Sequence, residues 1–327
     1  VQPDSVGTVH YRLECKRWDV TQMSQRPASH PPDRGEHRVI TRSDGVGNDF
    51  ALGSLRTTAS HTIGIPHLLE LLRAVPSTAS VEQYREAVVD GNVLARPTQA
   101  GRQRSFRHLR ELYFLDLSRP EFAALRHFWD IDHSSRPLLA GLLAFTRDEV
   151  LRASFAAIAG VPAGSSVTSA DLTAAIAAQF GNDMSESTLG KTGRNTSACW
   201  TQTGHLVGRA KKVRIDVKAR PTAVAYAAYV GHLAGGRGLG VLDNPWSQIL
   251  GIPPGRSLDA LHDAHIQGLL DLLVAGNVVD VSFQHWAVAH EPRLRPPRRL
   301  QGRVVLDLER QRLGWRARLD ARLPSRP

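Results

Sequence analysis

The stretch SADLTAAIAAQFGNDMSESTLGKTGRNTSACWTQ, residues 169–202, decides the fold. Its first half repeats apolar residues at helical spacing after Ser169, and Gly181 interrupts that repeat. Ser185 is a typical helix-capping residue, and the acidic Glu186 behind it suits the positive end of a second helix. The stretch therefore predicts two helices joined by a short turn.

The second predicted helix and the segment after it carry residue types that bind nucleic acid. Lys191, Arg194 and Asn195 supply donors that phosphates and base edges accept. Residues 204–208 break the helix, and residues 212–218 alternate charged, mostly basic, and branched apolar side chains, as a strand does. This order predicts a helix-turn-helix followed by the wing of a winged helix. The predicted DNA contacts of the wing are Arg209, Lys211, Lys212 and Arg214.

Local charge also favours nucleic-acid contact in this region. Residues 181–220 hold 8 basic and 3 acidic residues, whereas residues 61–286 as a whole hold 22 basic and 20 acidic ones. Gly190 and Gly193 oppose a regular helix, because glycine has a low helix propensity. The alternative interpretation is therefore a solvated helix followed by a basic hairpin, with no nucleic acid bound.

A second basic pair of helices precedes this one. Apolar spacing predicts a helix over residues 81–94, and residues 96–98 turn the chain into a helix over residues 99–115. Residues 95–110 contain five arginines and no acidic residue, which indicates either a phosphate-binding face or a solvated helix face. The residues predicted to contact phosphates are Arg102, Arg104 and Arg107.

Helical spacing continues through most of the remaining sequence up to residue 286. The longer predicted helices include residues 137–158 and residues 257–275, and residues 278–283 form a second short strand-like run. The sequence thus predicts a mainly α fold. We expect a helical bundle with two helix-turn-helix units, winged-helix-like in character, and little strand.

The net charge of +10 indicates a polyanionic partner, but this charge is unevenly distributed. Residues 287–327 alone hold 11 basic and 4 acidic residues. The sequence predicts a poorly ordered segment (1–60), an N-terminal helical domain with the first helix-turn-helix (61–160), a winged-helix-like and C-terminal helical domain (161–286) and an Arg/Pro-rich tail (287–327).

Several classes of protein are excluded by composition. The longest apolar stretches are well short of the roughly 20 residues that span a bilayer. The sequence opens with no charged-then-apolar leader, and its two cysteines are too few for a disulfide framework. His262 and His265 lie three residues apart on a predicted helix, but no second pair completes a metal site. These features predict a cytoplasmic protein with no membrane partner, no metal and no cofactor.

One enzymatic alternative lies near the start of the chain. Pro3 and Asp4 followed by Glu14 and Lys16 match the PD…ExK pattern of metal-dependent nucleases. Asp4 and Glu14 would hold Mg²⁺, and Lys16 would stabilise developing negative charge. Such sites lie within an α/β core, however, and only two residues precede Pro3. A nuclease is therefore the less favoured interpretation.

The two basic helix pairs resemble a known family. Residues 84–115 are similar to the N-terminal region of BrxA proteins from BREX phage-defence systems, and residues 187–206 are similar to that family's second helix-turn-helix. The resemblance covers about residues 63–283. The motifs that carry it are GNVL at 91–94, RPT at 96–98, LREL at 109–112, STLGK at 187–191 and TGHL at 203–206.

The resemblance implies an all-helical, non-catalytic protein that binds double-stranded DNA within a multi-gene bacterial defence system. Together with the basic helices, it predicts that the chain is not an enzyme, that duplex DNA is its partner and that other defence proteins are further partners. The alternative from another class is a protein-interaction subunit, which docks defence proteins through its C-terminal helical half without reading DNA.

Overall fold

The computed structural model describes residues 52–253, 255–276 and 278–283. In these residues the fold is mainly α-helical, as the sequence predicts. The PD…ExK pattern and the Arg/Pro-rich tail lie outside the described residues.

The described part of the chain alternates helices of about one to five turns with short strands and turns. The helices are α1 (Ile65–Ala74), α2 (Val81–Val89), α3 (Gln99–Tyr113), α4 (Pro120–Trp129), α5 (Arg136–Arg147), α6 (Glu149–Ser154), α7 (Ala156–Ala159), α8 (Ser169–Phe180), α9 (Glu186–Gln202), α10 (Pro221–Leu233) and α11 (Ser257–Ile266). The strands are β1 (Ser166–Val167), β2 (Leu206–Val207), β3 (Lys212–Arg214), β4 (Asp271–Ala275) and β5 (Val278–Ser282). Short 3-10 helices cover Thr57–Ala59, His133–Ser135, Gly238–Leu242 and Trp246–Leu250.

Local sequence explains where most of these helices begin. The side chains of Ser80 and Thr168 accept a hydrogen bond from the backbone N–H of Gln83 and Asp171, respectively. In return, the side chains of Gln83 and Asp171 accept a hydrogen bond from the backbone N–H of the capping residue. Such capping boxes satisfy donors that a helix start leaves unpaired. Proline, which lacks an N–H, occupies the first turn of α1, α4, α5 and α10.

Helix α10 lies at the centre of the core. Residues 222–231 are buried without interruption, so this helix is apolar all round rather than amphipathic. The apolar core that surrounds it is continuous and includes side chains from α1 to β5. At Gly231 a Cβ atom would lie 1.9 Å from the carbonyl oxygen of Val241, so only glycine allows this close approach.

The helix predicted over residues 137–158 is wrong as a single element, because it is interrupted at Asp148 and Phe155. The Asp148 carboxylate is buried and caps α6, accepting from Leu151 N–H at 2.8 Å. It also accepts from the hydroxyl of Thr58 at 2.7 Å and from its backbone N–H at 2.9 Å. A partner distant in sequence therefore determines where the helix breaks.

The helix predicted over residues 257–275 is wrong beyond residue 266. Gly268 adopts a left-handed conformation with φ of 70°, and the chain then enters β4. Strand β4 pairs antiparallel with β5, with Asp271 opposite Ser282 and Ala275 opposite Val278. Strand pairing depends on tertiary contacts. The helical spacing of the leucines in this segment therefore does not indicate strand β4.

Helices α8 and α9 pack beside a small antiparallel sheet. Its spatial order is β1-β3-β2, with Val167 opposite Lys212 and Val207 opposite Val213. A separate apolar cluster under the two helices joins them to α6. Its buried members are Val150, Ile176, Phe180 and Leu189.

Candidate nucleic-acid interface

Helix α9 presents a narrow row of residues to solvent. Lys191 and Arg194 are exposed in this row, and Ala198 and Thr201 continue it at spacings of four and three residues. Residues at such spacing lie on one face of a helix. Among the described residues, neither Lys191 nor Arg194 has a carboxylate partner. Both cations are therefore available to an anionic ligand.

The two glycines of α9 have different surroundings. A Cβ at Gly193 would lie 2.1 Å from Thr173 Oγ1 and 2.6 Å from the Ser169 carbonyl oxygen, so this glycine allows α8 and α9 to cross closely. At Gly190 the nearest atom to such a Cβ is Arg194 Nη1 at 3.7 Å. Gly190 thus leaves open space beside the exposed cations rather than serving the packing.

The turn between β2 and β3 places further cations near the end of α9. Gly208 has φ of 104°, and a Cβ there would lie 2.2 Å from the Lys211 carbonyl oxygen. This tight turn exposes Arg209 and Lys211. Lys212 is half-buried, and its Nζ donates to Thr201 Oγ1 at 2.8 Å. The turn is thereby attached to the exposed row of α9.

Two of the predicted contact residues bond within the protein instead. Asn195 donates from its amide to the carbonyl oxygens of Thr58 at 3.2 Å and Ala59 at 3.4 Å. Arg214 is largely buried, and its Nε donates to the Ile158 carbonyl oxygen at 3.4 Å. Both side chains therefore have structural partners, which reduces what they can offer a ligand.

Acidic residues near α9 only partly offset its charge. Asp183 pairs with Arg56 Nη1 at 3.1 Å, and Arg56 also pairs with Glu149. These partners raise the pKa of Arg56, the hydrogen bond to Glu149 most of all, so the guanidinium stays charged. Glu186 is exposed at the first turn of α9. The row of Lys191 and Arg194 begins one turn further on and remains positive.

In the α2–α3 pair, one of the predicted arginines serves the turn. Arg102 donates from Nε to the Arg96 carbonyl oxygen at 3.2 Å and from Nη1 to the Val89 carbonyl oxygen at 3.4 Å. Asn92 accepts from the Arg96 backbone N–H at 2.7 Å, with its own φ at 52°. Arg102 thus holds the chain between α2 and α3 in place.

The exposed arginines of α3 line two different cavities. Arg104 lines a cavity of about 350 Å³, whereas Arg107 and Arg110 line a second one of about 340 Å³. Residues 114–119 continue α3 into a turn and not into a strand pair. Among the described residues, α3 therefore has no adjoining wing.

Sequence reasoning missed the segment that joins the two pairs. Residues 57–65 lie between α3 and α9 and bond to both. Towards α9, the Ile63 N–H donates to Cys199 Sγ at 3.3 Å and the Ile65 N–H to Gln202 Oε1 at 3.1 Å. Towards α3, Tyr113 donates its hydroxyl hydrogen to the Ile63 carbonyl oxygen at 2.7 Å. The polar composition of this segment gave no signal of these partners.

The described residues also bear on three other features: a metal site, a membrane-spanning helix and a cysteine nucleophile. In the described ranges, no cluster of three or more His, Cys, Asp or Glu side chains is placed to hold a metal ion. No helix in those ranges is both long and apolar enough to cross a membrane. Cys199 is buried, and burial raises the pKa of its thiol to about 12, which disfavours the thiolate of a nucleophile.

Comparison with protein-family models, curated proteins and solved structures gives no match to this chain.

Proposed function

We propose that the chain binds double-stranded DNA through α9 and the β2–β3 turn, as a non-catalytic component of a bacterial anti-phage defence system of the BREX type. The observation that carries this proposal is the grouping of cations without acidic partners on one helix and the adjoining turn. Those cations are Lys191, Arg194, Arg209 and Lys211, with Lys212 beside them.

The order of elements around these cations supports the proposal. A strand (β1), two helices (α8 and α9) and a strand pair (β2 and β3) follow each other, and the sheet order is β1-β3-β2. In the winged-helix interpretation that we propose for this order, the second helix enters the major groove and the strand pair after it forms the wing. Helix α9 takes the role of the groove helix in this proposal.

The chemistry of the exposed residues suits a polyanion. Lysine and arginine neutralise phosphates and release counterions, which supplies most of the sequence-independent affinity. Arg194 also has the donor geometry to read guanine in the major groove. With hydrogen as its side chain, Gly190 lets the duplex approach α9 closely beside these two cations.

The defence context rests on the motif resemblance to BrxA proteins, and the helix pairs that carry it are α2–α3 and α8–α9. In this proposal the α2–α3 pair has a supporting role. Arg107 would contact flanking phosphates, Arg104 lines a cavity instead, and Arg102 would act only through the turn that it holds.

A second candidate function is the docking of defence proteins without direct DNA contact. The observation that favours it is an exposed apolar surface on the β4–β5 hairpin. Leu273 is 65% exposed and Val278 67%, and the strand pairing places both on the same face of the hairpin. Apolar groups that are exposed side by side commonly mark protein interfaces.

A DNA-binding assay with two forms of the protein tests the first proposal. Fluorescence anisotropy with a labelled duplex at about 50 mM salt is measured for the full chain and for a variant that lacks residues 287–327. We expect the shortened variant to keep binding, more weakly, because the cations of α9 remain. Complete loss of affinity with the tail, while circular dichroism is unchanged, would contradict the proposed site.

The same samples test the absence of catalysis. With Mg²⁺ present, we expect the duplex to be recovered intact. Cleavage that disappears in a Glu14→Ala variant would instead support the nuclease alternative.

A further inference from the structure

A cavity of about 350 Å³ lies between α3, the turn before it and the segment at residues 61–67. Five of its lining residues are basic, and none of its lining residues is acidic. Its volume lies at the lower end of the roughly 300–1,000 Å³ that small-ligand sites occupy. The basic lining residues are His61, His67, Arg96, Arg104 and His108.

Arg96 is the fixed cation of this cavity. Its Nε donates to Ser105 Oγ at 3.1 Å, and its Nη2 lies 2.9 Å from His67 Nε2. Because a guanidinium only donates, His67 Nε2 accepts this bond and the ring is neutral. Arg96 is half-buried, and within the described ranges no carboxylate pairs with it. A partly desolvated charge without a counter-charge favours an anionic ligand.

Arg104 adds a second cation that is free to move. It is exposed, it lines the same cavity, and the structure gives it no hydrogen bond or ion pair among the residues described. One preorganised guanidinium and one mobile guanidinium together match the several acceptor oxygens of a phosphate group.

Unlike the two arginines, which only donate hydrogen bonds, His108 has a ring nitrogen that accepts one. Its Nε2 lies 2.8 Å from the Thr62 carbonyl oxygen and donates to it, which leaves Nδ1 as an acceptor. That Nδ1 atom is buried and has no hydrogen-bond partner in the described part of the chain. Burial, with smaller contributions from His61 and His67, lowers the pKa of His108 to about 4, so the ring remains neutral at pH 7. His108 therefore adds no positive charge to the cavity, whose permanent cations are Arg96 and Arg104.

We propose that this cavity binds a small phosphorylated molecule of the size of a nucleoside monophosphate. Arg96 and Arg104 contact the phosphate oxygens. The site is separate from the α9 surface and does not depend on DNA binding by that surface.

The test uses isothermal titration calorimetry on the full chain, with adenosine monophosphate and adenosine as probes. We expect the monophosphate to bind and adenosine to give no heat, because the two arginines recognise the phosphate. Arg104→Gln is expected to weaken binding of the monophosphate by roughly 10-fold. Arg110→Gln is the matched control, since Arg110 lies on the same helix but lines the other cavity. It should leave the dissociation constant unchanged.

Either of two results would overturn the proposal. One is the absence of heat with millimolar monophosphate, and the other is an equal loss in Arg104→Gln and Arg110→Gln. Arg96→Gln provides a second variant, and its thermal unfolding is measured alongside. Loss of monophosphate binding at an unchanged Tm supports the site, whereas unchanged binding contradicts it.

A competition arm identifies the source of the phosphate. A duplex without terminal phosphates is added to the protein saturated with adenosine monophosphate. Retention of the monophosphate supports a small molecule as the ligand. Displacement at the concentration at which the duplex itself binds would show that the cavity receives backbone phosphates, and would overturn the small-molecule assignment.

Discussion

The α8–α9 pair and the α2–α3 pair each end in a helix with exposed cations, yet they differ in what surrounds those cations. On α9, Lys191 and Arg194 form one row beside a basic turn. On α3, Arg102 holds a turn, while Arg104 and Arg107 line separate cavities. The number of basic residues is thus a poor guide to an interface. The better guide is a set of exposed cations that lie beside a further basic segment and have no internal partners among the described residues.

The largest expected effect is on DNA affinity. Replacing both Lys191 and Arg194 by alanine should weaken duplex binding by about 100-fold, because two of the free cations of the α9 surface are lost. Replacing both Arg104 and Arg107 removes the same number of charges from α3, where the two arginines line different cavities. We expect a loss of about 10-fold or less for that variant. Fluorescence anisotropy under identical buffer conditions compares the two.

This pair of variants carries its own control, since the change in net charge is the same in both. Equal losses would mean that affinity follows total charge and that α9 is not a distinct interface. A larger loss from the α3 variant would reverse the comparison.

The next effect concerns the packing beneath α9. Gly193→Ala should destabilise the protein by about 2 kcal/mol, because the added methyl group collides with the Ser169 carbonyl oxygen of α8. Gly190→Ala is the matched variant on the exposed side. It should raise stability by up to about 1 kcal/mol through helix propensity alone. Urea denaturation followed by circular dichroism measures both, and a destabilising Gly190→Ala would contradict the open surroundings of Gly190.

A smaller effect compares one buried histidine from each region. Burial lowers the pKa of His205, next to β2, and of His108, on α3, from 6.5 to about 4 in each case. Below pH 6.5 these two histidines bind protons in the unfolded chain, whereas in the folded chain they stay neutral until the pH approaches 4. Stability is therefore complete above pH 6.5 and falls as the pH drops towards 4, by up to about 1.4 kcal/mol per pH unit for each histidine.

Variants separate the two contributions to this pH dependence. His205→Gln and His108→Gln should each flatten the dependence of the unfolding free energy on pH between 6.5 and 4. His205 is almost fully buried, with its nitrogens bonded to Thr203 Oγ1 and the Ile249 carbonyl oxygen. Its variant is expected to show the larger flattening. Unchanged slopes in both variants would refute the assignment to these histidines.

Local signals explain how much of the fold could be read from the sequence. Helices α8 and α9 begin and end near the predicted positions, because capping residues such as Ser185 act on the first turn behind them. The strand β4 and the break at Asp148 were missed, because partners far along the chain determine both.

The candidate site was predictable to the same extent. The exposure of Lys191 and Arg194 follows from helical spacing, since the apolar residues of α9 identify the opposite face. The internal role of Asn195 does not follow from the spacing, because its side-chain amide donates to the carbonyl oxygen of Thr58, 137 residues away in the sequence. No local pattern indicates that a polar segment such as residues 57–65 covers one side of a helix.

The salt dependence of duplex binding tests the central claim most directly. Dissociation constants are measured from about 50 to 200 mM salt for the full chain and for Lys191→Ala/Arg194→Ala. Each phosphate contact contributes about 0.9 to the slope of the logarithm of affinity against the logarithm of salt concentration. We predict that the variant's slope is shallower by about 2, since two phosphate contacts are lost. Identical slopes would contradict the assignment of α9 as the surface that contacts DNA.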